Sequence, residues 1–109
     1  MKDDRLYLLH IAECIHQVME YTVKGEKHFF TDRMAQDAVV RNFEIIGEAT
    51  KQISQQLRDT QPDIPWRKMA GLRDVLIHNY MGVDISEVWQ IITNELPNLS
   101  FAINSLLDK

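Results

Sequence analysis

An arginine, a histidine and a tyrosine lie close together in residues 73–80, RDVLIHNY, within an otherwise apolar stretch. Imidazole exchanges protons near neutral pH, and a guanidinium binds phosphate through two parallel hydrogen bonds. Arg73 and His78 therefore suit chemistry at a phosphoester. Asp74 stands four residues before His78, so on a helix its carboxylate can accept a hydrogen bond from the imidazole.

Helical spacing separates these polar groups from an apolar stripe. The predicted stripe consists of Met69, Leu72, Val75 and Leu76. Arg73 and Tyr80, seven residues apart, share a different face. His78 follows Arg73 by five residues, about 140° round a helix, so the two side chains diverge within one chain.

The pattern Arg-x4-His-x-Tyr resembles the signature of the HEPN superfamily, and the chain resembles its HepT-type toxins. Four flanking blocks carry the resemblance: RNFEIIGEA at 41–49, IPWR at 64–67, AGLR at 70–73 and IHNYMGVD at 77–84. The resemblance implies an all-α homodimer that is a metal-independent ribonuclease, the toxin of a type VII-like HEPN/MNT toxin–antitoxin system. It also implies a nucleotidyltransferase antitoxin, of the MNT type, that transfers AMP onto Tyr80. The added bulk and negative charge would repel an anionic substrate.

RNA can be cut without a metal when a base takes the 2′-hydroxyl proton and an acid protonates the leaving 5′-oxygen. We expect Arg73 and His78 to be catalytic, with Asp74 and Tyr80 in support. Because one chain supplies one histidine and one arginine, a two-fold dimer would bring two of each to a shared cleft. One alternative is a non-catalytic module that binds a nucleotide or the partner protein in this cleft. Another is a purely structural helical dimer.

Composition limits the other possibilities. The 109 residues are 45% hydrophobic with a net charge of −4, which predicts one helical domain over 1–109 and argues against nonspecific coating of nucleic acid. Cys14 is the only cysteine, so neither a disulfide nor a cysteine-based zinc site is expected. His10 and Cys14 are one turn apart, but ordinary packing is favoured over a metal pair, and no cofactor is expected. The lack of a long apolar run predicts a cytoplasmic protein.

The sequence predicts an antiparallel bundle of four to five helices. The first begins at Asp3 or Asp4 and ends at Gly25, and residues 25–30 form a polar turn. The second, capped by Thr31 or Asp32, covers about 33–57. Its predicted buried residues are Val39, Phe43, Ile46, Ile53 and Leu57. The third begins at Trp66, the fourth is capped by Asp84 or Ser86, and residues 95–97 separate it from a final amphipathic segment.

Five further residues have open interpretations. Gly47 is predicted to let another helix approach closely. Glu44 and Glu48 form either a solvated edge or a partner for an arginine at a dimer or active-site surface. Arg67 and Lys68 are either solvated or contact substrate phosphates.

Overall fold

A computed structural model describes residues 3–72, 74 and 84–108 of the chain, and every regular element in these residues is an α-helix. The helices are α1 Asp4–Tyr21, α2 Glu26–Thr31, α3 Arg33–Lys51, α4 Gln55–Thr60, α5 Trp66–Ala70, α6 Ile85–Asn94 and α7 Leu96–Leu107. The predicted all-α class is therefore confirmed.

The two longest helices, α1 and α3, pack against each other and supply ten of the 21 buried hydrophobic residues among those described. The Asp3 carboxylate accepts the Arg5 backbone N–H at 3.0 Å and begins α1, and Asp32 accepts the Ala35 N–H at 3.1 Å and begins α3. The fully buried apolar side chains of the pair are Ile11, Ile15, Val18, Val39, Phe43 and Ile46. Gly47 is also buried in α3, and the close approach predicted there stays a prediction.

A hydrogen-bonded link shows that α1 and α3 are antiparallel. The Asp4 carboxylate accepts the Ser54 backbone N–H at 2.9 Å and the Ser54 hydroxyl at 2.6 Å. Asp4 begins α1 and Ser54 follows the end of α3, so opposite ends of the two helices meet. Helix α7 also packs on α1, where Arg5 Nη1 donates to the Leu107 carbonyl at 3.0 Å.

The predicted second helix, 33–57, is wrong in its C-terminal part, because α3 ends at Lys51 and a separate α4 begins at Gln55. Ser54 causes the interruption. Its backbone is extended, and its hydroxyl accepts the Leu57 N–H at 3.1 Å, which makes it the N-cap of α4. Ile53 is buried as predicted but lies in the connection rather than in the helix.

The predicted polar turn at 25–30 is also wrong, because residues Glu26–Thr31 form α2. Gly25 adopts φ 93°, a conformation that glycine tolerates, and α1 has already ended at Tyr21. Phe29 is fully buried and stacks on Trp89 of α6 with ring centroids 5.4 Å apart. Tertiary packing of this ring therefore stabilises a helix too short to form by itself.

The start of the third helix and both predicted boundaries of the fourth are confirmed. Trp66 begins α5 in the core, and its indole N–H donates to the Gln61 carbonyl at 3.0 Å. Asp84 caps α6 by accepting the Glu87 N–H at 3.2 Å. Helix α6 ends before Glu95, and Pro97 lies in the first turn of α7, where its missing N–H costs nothing.

Cys14 is buried, as predicted, and burial followed by the nearby Glu13 charge raises the pKa of its thiol. Among the helices described, none combines the length and the apolar character that a membrane crossing requires.

Candidate functional site

Of the predicted site residues in the motif 73–80, only Asp74 lies within the described residues. Arg73, His78 and Tyr80 lie outside them, as do Val75 and Leu76 of the predicted apolar stripe. The hydrogen bond between Asp74 and His78 and the shared cleft therefore stay predictions.

The residues that lead into the motif are held by the core. Met69 and Leu72 are buried, which confirms the first half of the predicted stripe, whereas Asp74 is exposed. Leu72 and Asp74 both have helical backbone, and two residues correspond to about 200° round a helix. The chain thus enters the motif with an apolar face towards the core and an acidic side chain in solvent.

A helix break precedes the motif. Helix α5 ends at Ala70, and the Gly71 N–H donates to the Arg67 carbonyl at 3.0 Å. A Cβ at position 71 would lie 3.3 Å from that same oxygen, so a larger residue would require a small shift of the last turn. A turn at Gly71 therefore separates α5 from Leu72, where helical backbone resumes.

The two cations predicted as possible phosphate contacts lie on the exposed side of α5. Arg67 and Lys68 are both exposed, and Lys68 Nζ lies 3.6 Å from Glu95 Oε1. With 74% and 44% of these two side chains exposed, the ion pair contributes little to stability. Lys68 can therefore leave Glu95 for an anionic ligand at small cost.

A mostly apolar groove of about 230 Å³ lies between α5 and the junction of α6 and α7. Its buried floor contains Ile64, Met69, Leu72, Leu96 and Leu99. Its polar rim contains Asp63, Lys68, Asn94, Glu95 and Asn98. The groove reaches Leu72, the residue directly before Arg73 in the chain.

A second groove, of about 550 Å³, lies between α1 and α3 and carries more titratable groups. Its polar lining includes Tyr7, His10, Arg41, Glu44 and Glu48. The proximity of His10 to the two glutamates could not be predicted from the sequence, because helical spacing places residues on a face but does not say which helices pack together. The described cationic partner of Glu48 is Lys51, at 3.7 Å, rather than an arginine.

The remaining histidines lie among ordinary surface groups. His10 is exposed and makes an edge contact with Tyr7, whereas Cys14, one turn later, is buried, so the two do not share an environment. His16 faces Glu20 at 3.6 Å, and His28 Nε2 lies 3.1 Å from Asp32 Oδ2. In the part of the chain that the structure describes, no group of three or more His, Cys, Asp or Glu residues is arranged to hold a metal ion.

The chain is similar to known proteins over a range that includes the motif residues outside the described part. Residues 11–106 match the family described as ribonuclease HepT-like. The chain is 44% identical over 94 residues to "Probable ribonuclease HepT" of Thermococcus cleftensis, covering 85% of this chain and 86% of that protein. It is 39% identical over 111 residues to "Putative RNase" of Caldanaerobacter subterraneus subsp. tengcongensis, covering 100% of this chain and 98% of that protein.

A longer relative also matches. The chain is 41% identical over 109 residues to "Gamma-glutamylcyclotransferase and putative RNase" of Methanocaldococcus jannaschii, covering 99% of this chain. It spans 49% of that protein, about half of its length. No solved structure matches the chain.

Proposed function

The chain belongs to the HepT-like ribonuclease family, and from that premise we propose that it is a metal-independent endoribonuclease, the toxin of a type VII-like HEPN/MNT toxin–antitoxin system. The observation that carries the proposal is the family match over residues 11–106, which contains the whole motif 73–80. The names of the relatives support an RNA-cleaving enzyme. We propose two further properties beyond RNA cleavage: the reaction needs no metal, and the protein acts as a toxin.

The proposed reaction is attack of a 2′-hydroxyl on the adjacent phosphorus. One His78 imidazole takes the 2′-hydroxyl proton, the 2′-oxygen bonds to phosphorus, and the bond from phosphorus to the 5′-oxygen breaks. A second imidazole, protonated, gives its proton to the leaving 5′-oxygen, which leaves a 2′,3′-cyclic phosphate and a 5′-hydroxyl. Arg73 stabilises the additional negative charge on the phosphoryl oxygens. Asp74 orients the imidazole by accepting its N–H.

Two imidazoles in one cleft require two chains, so the proposal includes a homodimer. Its support is the divergence of Arg73 and His78 round a helix and the presence of one such pair per chain. Sedimentation at micromolar concentration tests this part, and we expect a dimer. A monomer that still cleaves RNA would contradict the shared cleft.

Tyr80 is the proposed site of control by the antitoxin. Its phenol can accept an AMP group from a nucleotidyltransferase of the MNT type, and the added charge would then keep an anionic RNA out of the cleft. Mass spectrometry after co-expression with the nucleotidyltransferase should show an added AMP on the peptide that contains Tyr80. The control is Tyr80→Phe, which should stay unmodified. An unmodified wild-type peptide in an inhibited complex would favour steric inhibition instead.

Arg67 and Lys68 are proposed to contact phosphates that flank the scissile bond. Their support is exposure on α5, six and five residues before Arg73, and the weak ion pair between Lys68 and Glu95. We also propose a cytoplasmic location, because RNA is made and used there.

Expression in a bacterial host tests the biological part of the proposal. We expect the wild-type chain to arrest growth, and His78→Ala to be tolerated at the same level of folded protein. Co-expression of the neighbouring nucleotidyltransferase should restore growth. If His78→Ala is as toxic as the wild type, the growth arrest does not come from cleavage by His78. That result would favour the alternative of a non-catalytic module that binds a nucleotide or the partner protein.

A further inference from the structure

The apolar groove between α5 and the α6–α7 junction lies immediately beside the motif in the chain. Leu72 forms part of its buried floor, and the next residue is Arg73. Consecutive Cα atoms are about 3.8 Å apart, so whatever occupies the groove is a near neighbour of the motif backbone. This groove shares no lining residue with the titratable groove between α1 and α3.

The chemistry of this groove suits a flat ring with apolar faces and polar edges. Met69, Leu72 and Leu99 present buried hydrocarbon on its floor. Two amides lie at its rim beside Asp63 and the Lys68–Glu95 ion pair. Asn94 donates to Gln90 Oε1 at 2.8 Å, whereas the Asn98 side chain is exposed and has no hydrogen-bond partner among the described residues. A side-chain amide can make two hydrogen bonds to the edge of adenine.

The size and rim of the groove argue against larger occupants. Its volume of about 230 Å³ is below the roughly 300–1,000 Å³ of sites for drug-sized ligands, which favours a single ring system. The Lys68–Glu95 ion pair across the rim disfavours a protein partner, since charged residues are depleted from the cores of protein interfaces. Lys68 instead suits the phosphate attached to a bound nucleotide.

From this arrangement we propose that the groove is a base-binding subsite for the RNA strand, with a preference for adenine. Leu72, Leu99 and Ala102 contact the base, and Asn98 donates to and accepts from its edge. The base belongs to a nucleotide close to the scissile phosphate. This inference rests on the proposed ribonuclease function and adds a source of sequence preference to it.

The first test fills the groove. Ala102 lines it and is partly buried, so Ala102→Phe should occupy the space of the base. The matched control is Ala12→Phe, because Ala12 is also a partly buried helical alanine but lines the surface between α1 and α7. We expect Ala102→Phe to raise KM for adenine-containing RNA by about tenfold or more with kcat little changed, because only binding is lost. Ala12→Phe should leave KM unchanged.

The second test removes the amide. Asn98→Ala should lower the preference for adenine over uracil by about tenfold, a typical value for one bidentate contact. Asn104→Ala is the control, because Asn104 is an exposed asparagine on the same helix whose amide donates to the Ser100 carbonyl. The control should keep the wild-type preference.

A binding measurement separates failure of this subsite from failure of the ribonuclease function. The probes are 2′-O-methyl tetra-adenylate and 2′-O-methyl tetra-uridylate, which lack the attacking hydroxyl and cannot be cut by the proposed reaction. In NMR titrations we expect tetra-adenylate to shift the Ala102 methyl resonance more than tetra-uridylate does, with no shift at Ala12. This result would support the subsite even if the wild-type protein cuts no RNA.

Three results would overturn the subsite. One is wild-type KM and base preference in both Ala102→Phe and Asn98→Ala. A second is the absence of any probe-induced shift at Ala102. The third is a change of oligomeric state in Ala102→Phe that fully accounts for its lost activity, because the groove would then be an interface between proteins. Circular dichroism and sedimentation of each variant distinguish this last case.

Discussion

The long α1–α3 pair and the corner formed by α5, α6 and α7 are built differently. In the long pair, two helices of 18 and 19 residues bury continuous apolar stripes. In the corner, α5 has five residues, and helix breaks occur at Pro65, Gly71 and Glu95. A mostly apolar groove remains open there, whereas the groove beside the long pair is lined by several charged groups.

We infer from this difference that the long α1–α3 pair is the scaffold and that the corner of α5, α6 and α7 holds the candidate site. The two long helices bury unbroken apolar stripes, and packing of such stripes is the main source of helix stability in a folded protein. Short helices with frequent breaks leave backbone ends and uncovered apolar surface near the motif, which are the features that a ligand can use.

The largest expected effect is on stability in the long pair. Phe43 is fully buried in α3, and Phe43→Ala should lower the free energy of unfolding by about 3–5 kcal/mol. Leu99→Ala in the corner should cost less, about 2 kcal/mol, because the side chain is smaller and Leu99 lines the open groove. Urea unfolding measures both. Equal losses would mean that the corner carries as much of the stability as the long pair.

An intermediate effect is expected for the two aspartate caps. Asp3 begins α1 and Asp84 begins α6, and each accepts backbone N–H groups. Asp3→Ala and Asp84→Ala should each lower the free energy of unfolding by about 1 kcal/mol. Only Asp84→Ala should also reduce RNA cleavage, because Asp84 directly follows the segment that contains the motif. Similar cleavage rates in the two variants would contradict the proposed difference between the long pair and the corner beside the motif.

The smallest effect concerns pH. The backbone N–H of Ala35 has the largest effect and lowers the pKa of Asp32; desolvation acts in the opposite direction, and the hydrogen bond and charge of His28 lower this pKa further. A lowered pKa in the folded state adds stability above the ordinary pKa of an aspartate, and this stability is lost as pH falls through the lowered value.

The matched variant is Asp32→Asn, which keeps a capping oxygen but removes the charge. It should be less stable than the wild type at neutral pH, and the two should converge at strongly acidic pH. Thermal unfolding followed across this range is the measurement. A difference that stays constant down to the acid limit would show that the Asp32 charge does not contribute.

Local sequence features predicted the parts of the fold that depend on a few adjacent residues. Asp32, Asp84 and Pro97 act within one turn of their own positions, so their effects on helix ends could be predicted. The end of α3 could not, because Ser54 is held by Asp4, 50 residues away. The helix at Glu26–Thr31 likewise depends on contact between Phe29 and Trp89.

One part of the candidate site could also be predicted from local sequence, and another part could not. The motif 73–80 could be predicted from its residue types and their spacing, because catalysis requires particular side chains at particular spacing. The apolar groove was not predicted, because Lys68 and Ala102 are 34 residues apart and line one groove only in the folded chain. Residue spacing along one helix does not contain that information.

The most direct test of the proposed mechanism is cleavage of a defined RNA by the purified protein in excess EDTA, with analysis of the product ends. We expect wild-type cleavage to persist and to leave 2′,3′-cyclic phosphate or 3′-phosphate ends. Folded Arg73→Ala and His78→Ala should each be slower by about 10²–10⁴-fold, and Arg73→Lys should be mostly inactive because it loses the bidentate contact. Cleavage that disappears with chelation, or an undiminished rate in His78→Ala, would contradict the mechanism.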